Sequence, residues 1–318
     1  MFELYKKRDL SANFSDTTTF FKTFGKHYFK NYFIINGIFL MLLVVLIYFF
    51  AKVYMEVIFS GISNPQKNPN LSMAYFNDNL PLIIGSFIVA FLLIIILSML
   101  SISFPVVYFK LLEKTNDDSF STNDIISGLK QNIGKMISFF LGSIFIIFPI
   151  AIVVFGLLFL LCFILIGIPL IFIVGSAFLS WTTLSYYEYT LKDVGYFTAL
   201  KNGFSLVKQQ FWIVVGTTFL VLMLVQIVQG IITVIPYIIS MIWMFTSTQN
   251  LQETGPPTNA FSTMGILVAV IFVLSVLMSY FFNNFFIVNQ GIMYYGLQEE
   301  KENNSTKSQI DLIGTDIE

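Results

Sequence analysis

The chain has 318 residues, of which 56% are hydrophobic and 11% are charged, and its formal net charge is −1. Because average globular chains carry about 25% charged residues, this composition excludes an ordinary soluble protein. A single cysteine excludes an intramolecular disulfide framework, and a single histidine leaves few ligands for a zinc site. The net charge of −1 gives no basic surface for nucleic-acid binding. We therefore expect an integral membrane protein without metal, cofactor or nucleic-acid partner.

Long apolar segments predict six transmembrane helices. An α-helix rises ~1.5 Å per residue, so about 20 apolar residues cross the ~30 Å hydrocarbon core. The expected spans are residues 33–59, 80–108, two helices within 136–187, 211–234 and 263–288. The fold class is therefore all-α and polytopic, with an N-terminal segment 1–32, a transmembrane domain 33–298 and a disordered acidic tail 299–318.

Glycine and proline set the expected interruptions. Residues 136–187 hold no charged side chain, and the turn between their two helices is predicted at 166–169, where Gly167 and Pro169 stand. Pro149 is expected to kink the helix before that turn. Pro236 predicts that the fifth span ends near residue 234 and that a separate segment, 236–244, lies at the outer interface.

The distribution of lysine predicts the orientation. Of the 17 Lys and Arg residues, 15 fall in four alternate connections, 1–32, 110–135, 192–208 and 299–318. Lys52 and Lys67 are the two that fall on the other side. Because cationic loops resist translocation, we expect both termini in the cytoplasm and a multi-pass protein of the inner, or cytoplasmic, membrane.

Three amphipathic stretches precede the odd-numbered spans, at residues 20–32, 125–137 and 197–211. They predict three interfacial helices on the cytoplasmic side, each followed by a transmembrane hairpin. Their candidate lipid-headgroup contacts are Lys22, Lys26, Lys30, Lys130, Lys135, Lys201 and Lys208. Two interpretations stay open: these helices bind anionic lipid, or they only link the spans and pack on the bundle.

Uncharged polar residues inside the spans form a second candidate set, Gln226 and Gln229 in the fifth helix and Asn283, Asn284 and Gln290 in the sixth. Such residues need hydrogen-bond partners in hydrocarbon. They indicate either hydrogen bonds between helices or a polar cavity open to the cytoplasm. The two groups, the sixth helix's Ser279 included, fall at different depths, so we do not expect direct bonds between them.

Ionisable residues near the span ends suggest boundary roles. Glu188 stands four residues before Lys192, the favourable order for a helical ion pair. His27 lies among lysines and is expected to be a solvated interfacial side chain. No serine-nucleophile elbow, phosphate loop or zinc-protease motif occurs in the sequence, which predicts a protein that is not an enzyme.

Two stretches carry a family resemblance. Residues 199–212, ALKNGFSLVKQQFW, and 290–302, QGIMYYGLQEEKE, resemble signatures of a broad set of bacterial six-helix integral membrane proteins. That set includes the membrane domain associated with some glycerophosphodiester phosphodiesterases. Gly203 stands where the pattern prefers arginine. The resemblance implies a six-helix membrane domain of undefined activity and does not bring the phosphodiesterase chemistry with it.

These observations favour a non-enzymatic integral membrane component, a scaffold or accessory subunit of an inner-membrane assembly that contacts membrane lipids and other membrane proteins. A transporter or channel for a small or lipidic solute is the alternative, which the polar residues of the sixth helix support. An intramembrane enzyme is the least supported class, because candidate acids, bases and nucleophiles are missing from the apolar spans.

Overall fold

A computed structural model describes residues 2–63, 77, 79–248 and 258–302. Within these ranges, side chains are described except at 51–63, 236, 240, 243–248 and 258–268. Throughout the described part of the chain, all regular elements are helices. The helices are α1 Leu10–Ser63, α2 Leu80–Thr115, α3 Thr122–Gly142, α4 Phe148–Cys162, α5 Gly167–Leu191, α6 Tyr196–Gln209, α7 Phe211–Thr248 and α8 Thr258–Glu302.

Six stretches of these helices are long and apolar enough to cross a membrane. They are Leu10–Phe50, Leu80–Thr115, Thr122–Cys162, Gly167–Leu191, Phe211–Ile239 and Ala269–Glu302. The prediction of an all-α, six-span, multi-pass membrane protein is therefore confirmed.

The predicted interfacial helices differ in their continuity with the spans. The first two stretches, 20–32 and 125–137, lie inside α1 and α3, and both helices run on without a break. Neither junction contains a proline, so the backbone hydrogen-bond ladder continues across it. The third stretch is a separate helix, α6, because Gln210 leaves the helical conformation with φ −134° and ψ 54°. Of the three predicted interfacial helices, only the third is thus a separate helix in the described part of the chain.

The turn inside the uncharged hairpin lies slightly earlier than predicted. It occupies residues 163–166, between α4 and α5, and Leu165 adopts a left-handed φ of 64°. Gly167 is the first residue of α5 and has an ordinary helical φ. A side chain at Gly167 would collide with the carbonyl of Leu158 and the amide of Cys162, so glycine is required there for close approach.

Two prolines have different effects on their helices. Pro149 lies in the first turn of α4, directly after a π-helical turn, Ser143–Ile147, that joins α3 to α4. A π turn thus precedes the proline, and the kink predicted at Pro149 stays a prediction. Pro236 lies inside α7, which continues to Thr248. The separate interfacial segment 236–244 was a wrong prediction, because transmembrane helices tolerate proline where other groups re-satisfy the freed carbonyl.

The chain divides into two compact units. Unit 1 contains Met1–Ile35, Met99–Val225 and Asn283–Glu318, and unit 2 contains Asn36–Ser98 and Gln226–Phe282. In unit 1 the core is rich in fully buried aromatic residues: Phe20, Tyr28, Tyr32, Phe104, Tyr108, Phe109, Tyr187, Tyr294 and Tyr295. In unit 2, a smaller apolar cluster forms around Leu40, Leu43, Ile47 and Leu97.

The acidic tail begins later than predicted. The helix α8 continues through Glu302, and Glu299 is only 1% exposed, so residues 299–302 belong to the folded part of unit 1. The predicted disorder of residues 303–318, the position of Lys67 and the side chain of Lys52 lie outside the described residues.

Candidate functional site

The predicted polar residues of unit 1 are used mainly in bonds between helices. Asn284 is buried, and its Oδ1 accepts a hydrogen bond of 2.7 Å from the hydroxyl of Tyr28 on α1. Gln290 is also buried, and its Nε2 donates to Oγ1 of Thr218 on α7 at 2.8 Å. Asn283, by contrast, is exposed. This region therefore supports helix-to-helix bonding more strongly than a cavity wall at Asn283.

Unit 2 contains the other two predicted polar residues. Nε2 of Gln229 on α7 donates to the hydroxyl of Ser279 on α8, whereas Gln226 is exposed. This bond contradicts the prediction that the two helices would not bond directly through polar residues. The error arose because depth was compared for Gln226 and Asn283. The residues that bond, Gln229 and Ser279, each lie nearer the expected outer end of their helix than Gln226 and Asn283 do. The five candidates therefore do not form one site.

A buried carboxylate provides the most distinctive polar arrangement in unit 1. Glu188, near the end of α5, is 4% exposed. Its Oε2 accepts from Nδ2 of Asn202 on α6 at 3.0 Å, and its Oε1 accepts from the hydroxyl of Tyr294 on α8 at 3.2 Å. Nε2 of Gln298, one turn further along α8, also donates to Oε1. We call these four residues the Glu188 cluster.

The prediction that Glu188 pairs with Lys192 is wrong. Nζ of Lys192 instead bridges Glu302 on α8 at 3.1 Å. The reason is the direction of the side chain: Glu188 points into the helix junction, where three neutral donors satisfy both of its oxygens. Hydrogen bonds to a charged acceptor are stronger than neutral ones, which offsets part of the cost of burying the carboxylate.

The same junction fixes α6 on α5. Nε1 of Trp181 on α5 donates to the carbonyl of Leu200 on α6 at 2.9 Å. A Cβ added at Gly203 would lie 2.7 Å from the amide nitrogen of Ser185, so the two backbones approach closely. Together with the bond from Asn202 to Glu188, these contacts hold α6 in one position and leave its other faces outward.

A second carboxylate is bonded to tyrosines at the lysine-rich helix ends. Glu113 on α2 accepts from the hydroxyl of Tyr5 at 2.7 Å and from the hydroxyl of Tyr295 at 3.0 Å. Burial raises the pKa of Tyr5, and the hydrogen bond to Glu113 raises it further. These bonds attach the N-terminal residues to α2 and α8.

Arg8 fastens the same N-terminal segment. Its guanidinium is buried, and Nε donates to Oδ2 of Asp16 at 2.8 Å, while Nη1 donates to the carbonyl of Leu4 at 2.8 Å. Burial lowers the pKa of Arg8, and the bond to Asp16 opposes that shift. The sequence showed Arg8 only as a cytoplasmic charge, and its structural role was not predicted.

His27 is not the solvated side chain that was predicted. It is partly buried in unit 1, with Nδ1 at 3.0 Å from the hydroxyl of Tyr108 and Nε2 at 3.1 Å from the carbonyl of Phe120. Its position on a face shared with the fully buried Tyr28 and Phe20 explains this, because α1 packs that face into the aromatic core.

The candidate lipid-contact lysines remain at the surface with one exception. Lys22, Lys26, Lys30, Lys130, Lys201 and Lys208 are exposed. Lys135 is partly buried, forms an ion pair of 2.7 Å with Asp193 and donates to the carbonyl of Thr190 at 3.4 Å. The outward position of six lysines is compatible with headgroup contact, whereas Lys135 is engaged by the exposed Asp193 and the carbonyl of Thr190.

At this site, carboxylates accept hydrogen bonds from side chains of the neighbouring helices. Across the described ranges, no group of three or more His, Cys, Asp or Glu side chains could hold a metal ion. The Glu188 cluster was missed from sequence, although one signal existed. Ser176, Ser180, Leu184 and Glu188 recur every four residues, and small polar residues at this spacing are typical of a helix interface.

The comparisons give no family for this protein. The chain matches no protein-family model, no curated protein and no solved structure. The resemblance of residues 199–212 and 290–302 to the phosphodiesterase-associated membrane domain therefore stays a prediction.

Proposed function

We propose that this protein is a non-enzymatic integral membrane component that acts as a scaffold or accessory subunit and contacts membrane lipids. Its setting is the bacterial inner membrane, with both termini in the cytoplasm and other membrane proteins as partners. The orientation rests on the placement of 15 of 17 Lys and Arg residues on one side.

The observation that carries the proposal is the bonding of the Glu188 cluster. An ionisable group within a membrane span is a candidate for proton or solute handling by default. Here both oxygens of Glu188 are engaged by donors from α6 and α8, namely Asn202, Tyr294 and Gln298. A carboxylate committed in this way holds helices together, which supports a structural role.

A transporter or channel is the second candidate, and one observation favours it. Among the described residues, the buried side-chain oxygens without a hydrogen-bond partner include Asn13 Oδ1, Thr217 Oγ1, Asn289 Oδ1 and Gln290 Oε1. Unpartnered acceptors inside a membrane protein are costly and are typical of sites that meet water or a solute. Gln290 is the best residue with which to test this alternative, because its Nε2 bonds to Thr218 and so fixes the side chain, while its Oε1 has no partner.

The experiment compares the two candidates directly. The full-length protein is tagged and purified in mild detergent from its native membrane, and its mass and partner stoichiometry are measured. In parallel, proteoliposomes containing the protein are assayed for ion current and solute efflux. We expect a stoichiometric complex with another membrane protein and no flux. A lone protein whose proteoliposomes carry flux, with Gln290→Leu abolishing it and exposed Asn283→Leu not doing so, would establish the transporter instead.

A further inference from the structure

The outward part of α6 carries an unusual pattern. The residues that face the bundle are Ala199, Leu200, Gly203, Leu206 and Val207. Phe197 and Phe204 are 71% and 59% exposed. Lys201 and Lys208 are exposed as well. Two large aromatic side chains thus project outward from a helix that is firmly packed on its other side.

The four outward residues share one stripe. At about 100° per residue, Phe197, Lys201, Phe204 and Lys208 fall within an arc of about 60°. We call this set the α6 stripe. Around the helix, the order from the buried face is first the two phenylalanines, then the two lysines, then the exposed hydroxyls of Ser205 and Thr198. A bilayer presents matching environments in the same order from its interior outward: acyl chains, phosphate groups and water.

The position of α6 along the chain gives its depth. Helix α6 ends at Gln209, and the apolar span of α7 begins at Phe211. Trp212, at the start of that span, is 71% exposed, and tryptophan is enriched at the level of the headgroups. Because α7 enters the hydrocarbon there, α6 lies beside the headgroups of the same leaflet.

We propose that the α6 stripe binds anionic phospholipid, with Lys201 and Lys208 on the phosphate groups and Phe197 and Phe204 among the adjoining acyl chains. This deepens the lipid contact of the proposed function and rests on it, since it names the lipid class and the residues. Zwitterionic lipid is the weaker ligand, because its own cationic group offsets the attraction of the phosphate for lysine.

The packing of α6 explains how two lysines are enough to bind an anionic phospholipid. Glu188, Trp181 and Gly203 fix the helix on the bundle before any lipid arrives. The stripe is therefore preorganised, so binding orders only the outward side chains and the lipid.

The test measures lipid affinity of the full-length protein by native mass spectrometry, with phosphatidylglycerol and phosphatidylcholine titrated separately. The double variant Lys201→Gln/Lys208→Gln is expected to bind phosphatidylglycerol about thirty-fold more weakly, with little change for phosphatidylcholine. The matched control is Lys110→Gln/Lys114→Gln, which removes two exposed charges beside the buried Tyr108 and Phe109 of α2.

The control should bind both lipids as the unmodified protein does. The variant Phe197→Ala/Phe204→Ala should weaken both lipids to a similar extent, because it removes acyl contacts. Unchanged melting of each variant in lipid-free detergent shows that the fold is retained. Undiminished phosphatidylglycerol binding by Lys201→Gln/Lys208→Gln, or an equal loss in the control, would overturn the proposal. Either result leaves the co-purification test of the scaffold role unaffected, so the two failures are distinguishable.

Discussion

Gly203 on α6 lies directly against Ser185 on α5: a Cβ built at Gly203 would be 2.7 Å from the amide nitrogen and 2.8 Å from the Cα of Ser185. Because the obstacle is backbone, Gly203→Ala must separate the two helices. We expect a loss of about 1–3 kcal/mol in the free energy of unfolding, as for other overpacked contacts. Unfolding in a denaturing detergent titration measures it. Ser205→Ala, on the exposed side of α6, is the matched control, and equal stability of the two variants would contradict the model of close packing.

Replacing Glu188 by glutamine should destabilise unit 1. A glutamine amide presents one donor group, so at least one of Asn202, Tyr294 and Gln298 then faces a donor instead of an acceptor. The expected loss is about 1–3 kcal/mol, and Glu188→Leu, which leaves all three donors without their acceptor, should lose more. Thermal melting followed by size-exclusion chromatography measures both. Asp118→Asn at the exposed loop is the control. A stabilised Glu188→Gln would mean that the cost of burying the charge exceeds the value of its bonds.

The bond between Tyr28 and Asn284 can be isolated by a double-mutant cycle. Tyr28→Phe and Asn284→Leu are measured singly and together in the denaturing detergent titration. Because polar bonds between transmembrane helices average about 0.6 kcal/mol, with a maximum of about 1.7 kcal/mol, we expect a coupling energy in that range. The pair Tyr28→Phe and Gln229→Leu serves as the comparison and should be additive. A coupling energy indistinguishable from zero for Tyr28 and Asn284 would rule out their bond as a source of stability.

Asp193 should give a pH-dependent contribution at the surface. The hydrogen bond and charge of Lys135 lower the pKa of Asp193 below its ordinary value of 3.8. The folded state therefore favours the carboxylate, and the stabilisation is present above that ordinary pKa and is lost as the pH falls through the lower folded-state value. The difference in melting temperature between the unmodified protein and Asp193→Asn should be constant above about pH 5 and should shrink as the pH falls below about 4.

Asparagine is the suitable replacement because Asp193 has a left-handed φ of 55°, which asparagine tolerates. In a Lys135→Gln background most of the pH-dependent difference should disappear, because the charge of Lys110 is the smaller cause of the lowered pKa. If the difference persists in full there, Lys135 is not responsible for the lowered pKa of Asp193.

The spans could be predicted because their cause is simple. Hydrocarbon excludes charge and polar backbone, so an apolar run such as residues 136–187 has to form helices that cross the membrane. The ends of elements depend on finer geometry. Pro236 was expected to end a helix, yet α7 runs through it, and Leu165 rather than a glycine takes the left-handed position in the hairpin turn. Such choices are decided by neighbours that the local sequence does not reveal.

The candidate site was predicted less well than the fold. Sequence correctly selected Asn284 and Gln290 as residues that need partners, because buried amides must bond. It could not choose the partners, since Tyr28 and Asn284 are separated by 256 positions. Glu188 was assigned to the nearest cation in sequence, whereas the donors that bind it come from two other helices. The direction in which a helix faces decides such pairings, and it is set by packing.

The π turn at Ser143–Ile147 has one further consequence for the hairpin that follows. A π turn accommodates one extra residue, which rotates all later side chains by about 100° relative to a regular helix. The segment before it buries Met136 and Phe139, and the segment after it buries Leu158. With that extra residue, the buried Leu158 lies on the same face as the buried Phe139, whereas a regular helix would place the two about 100° apart.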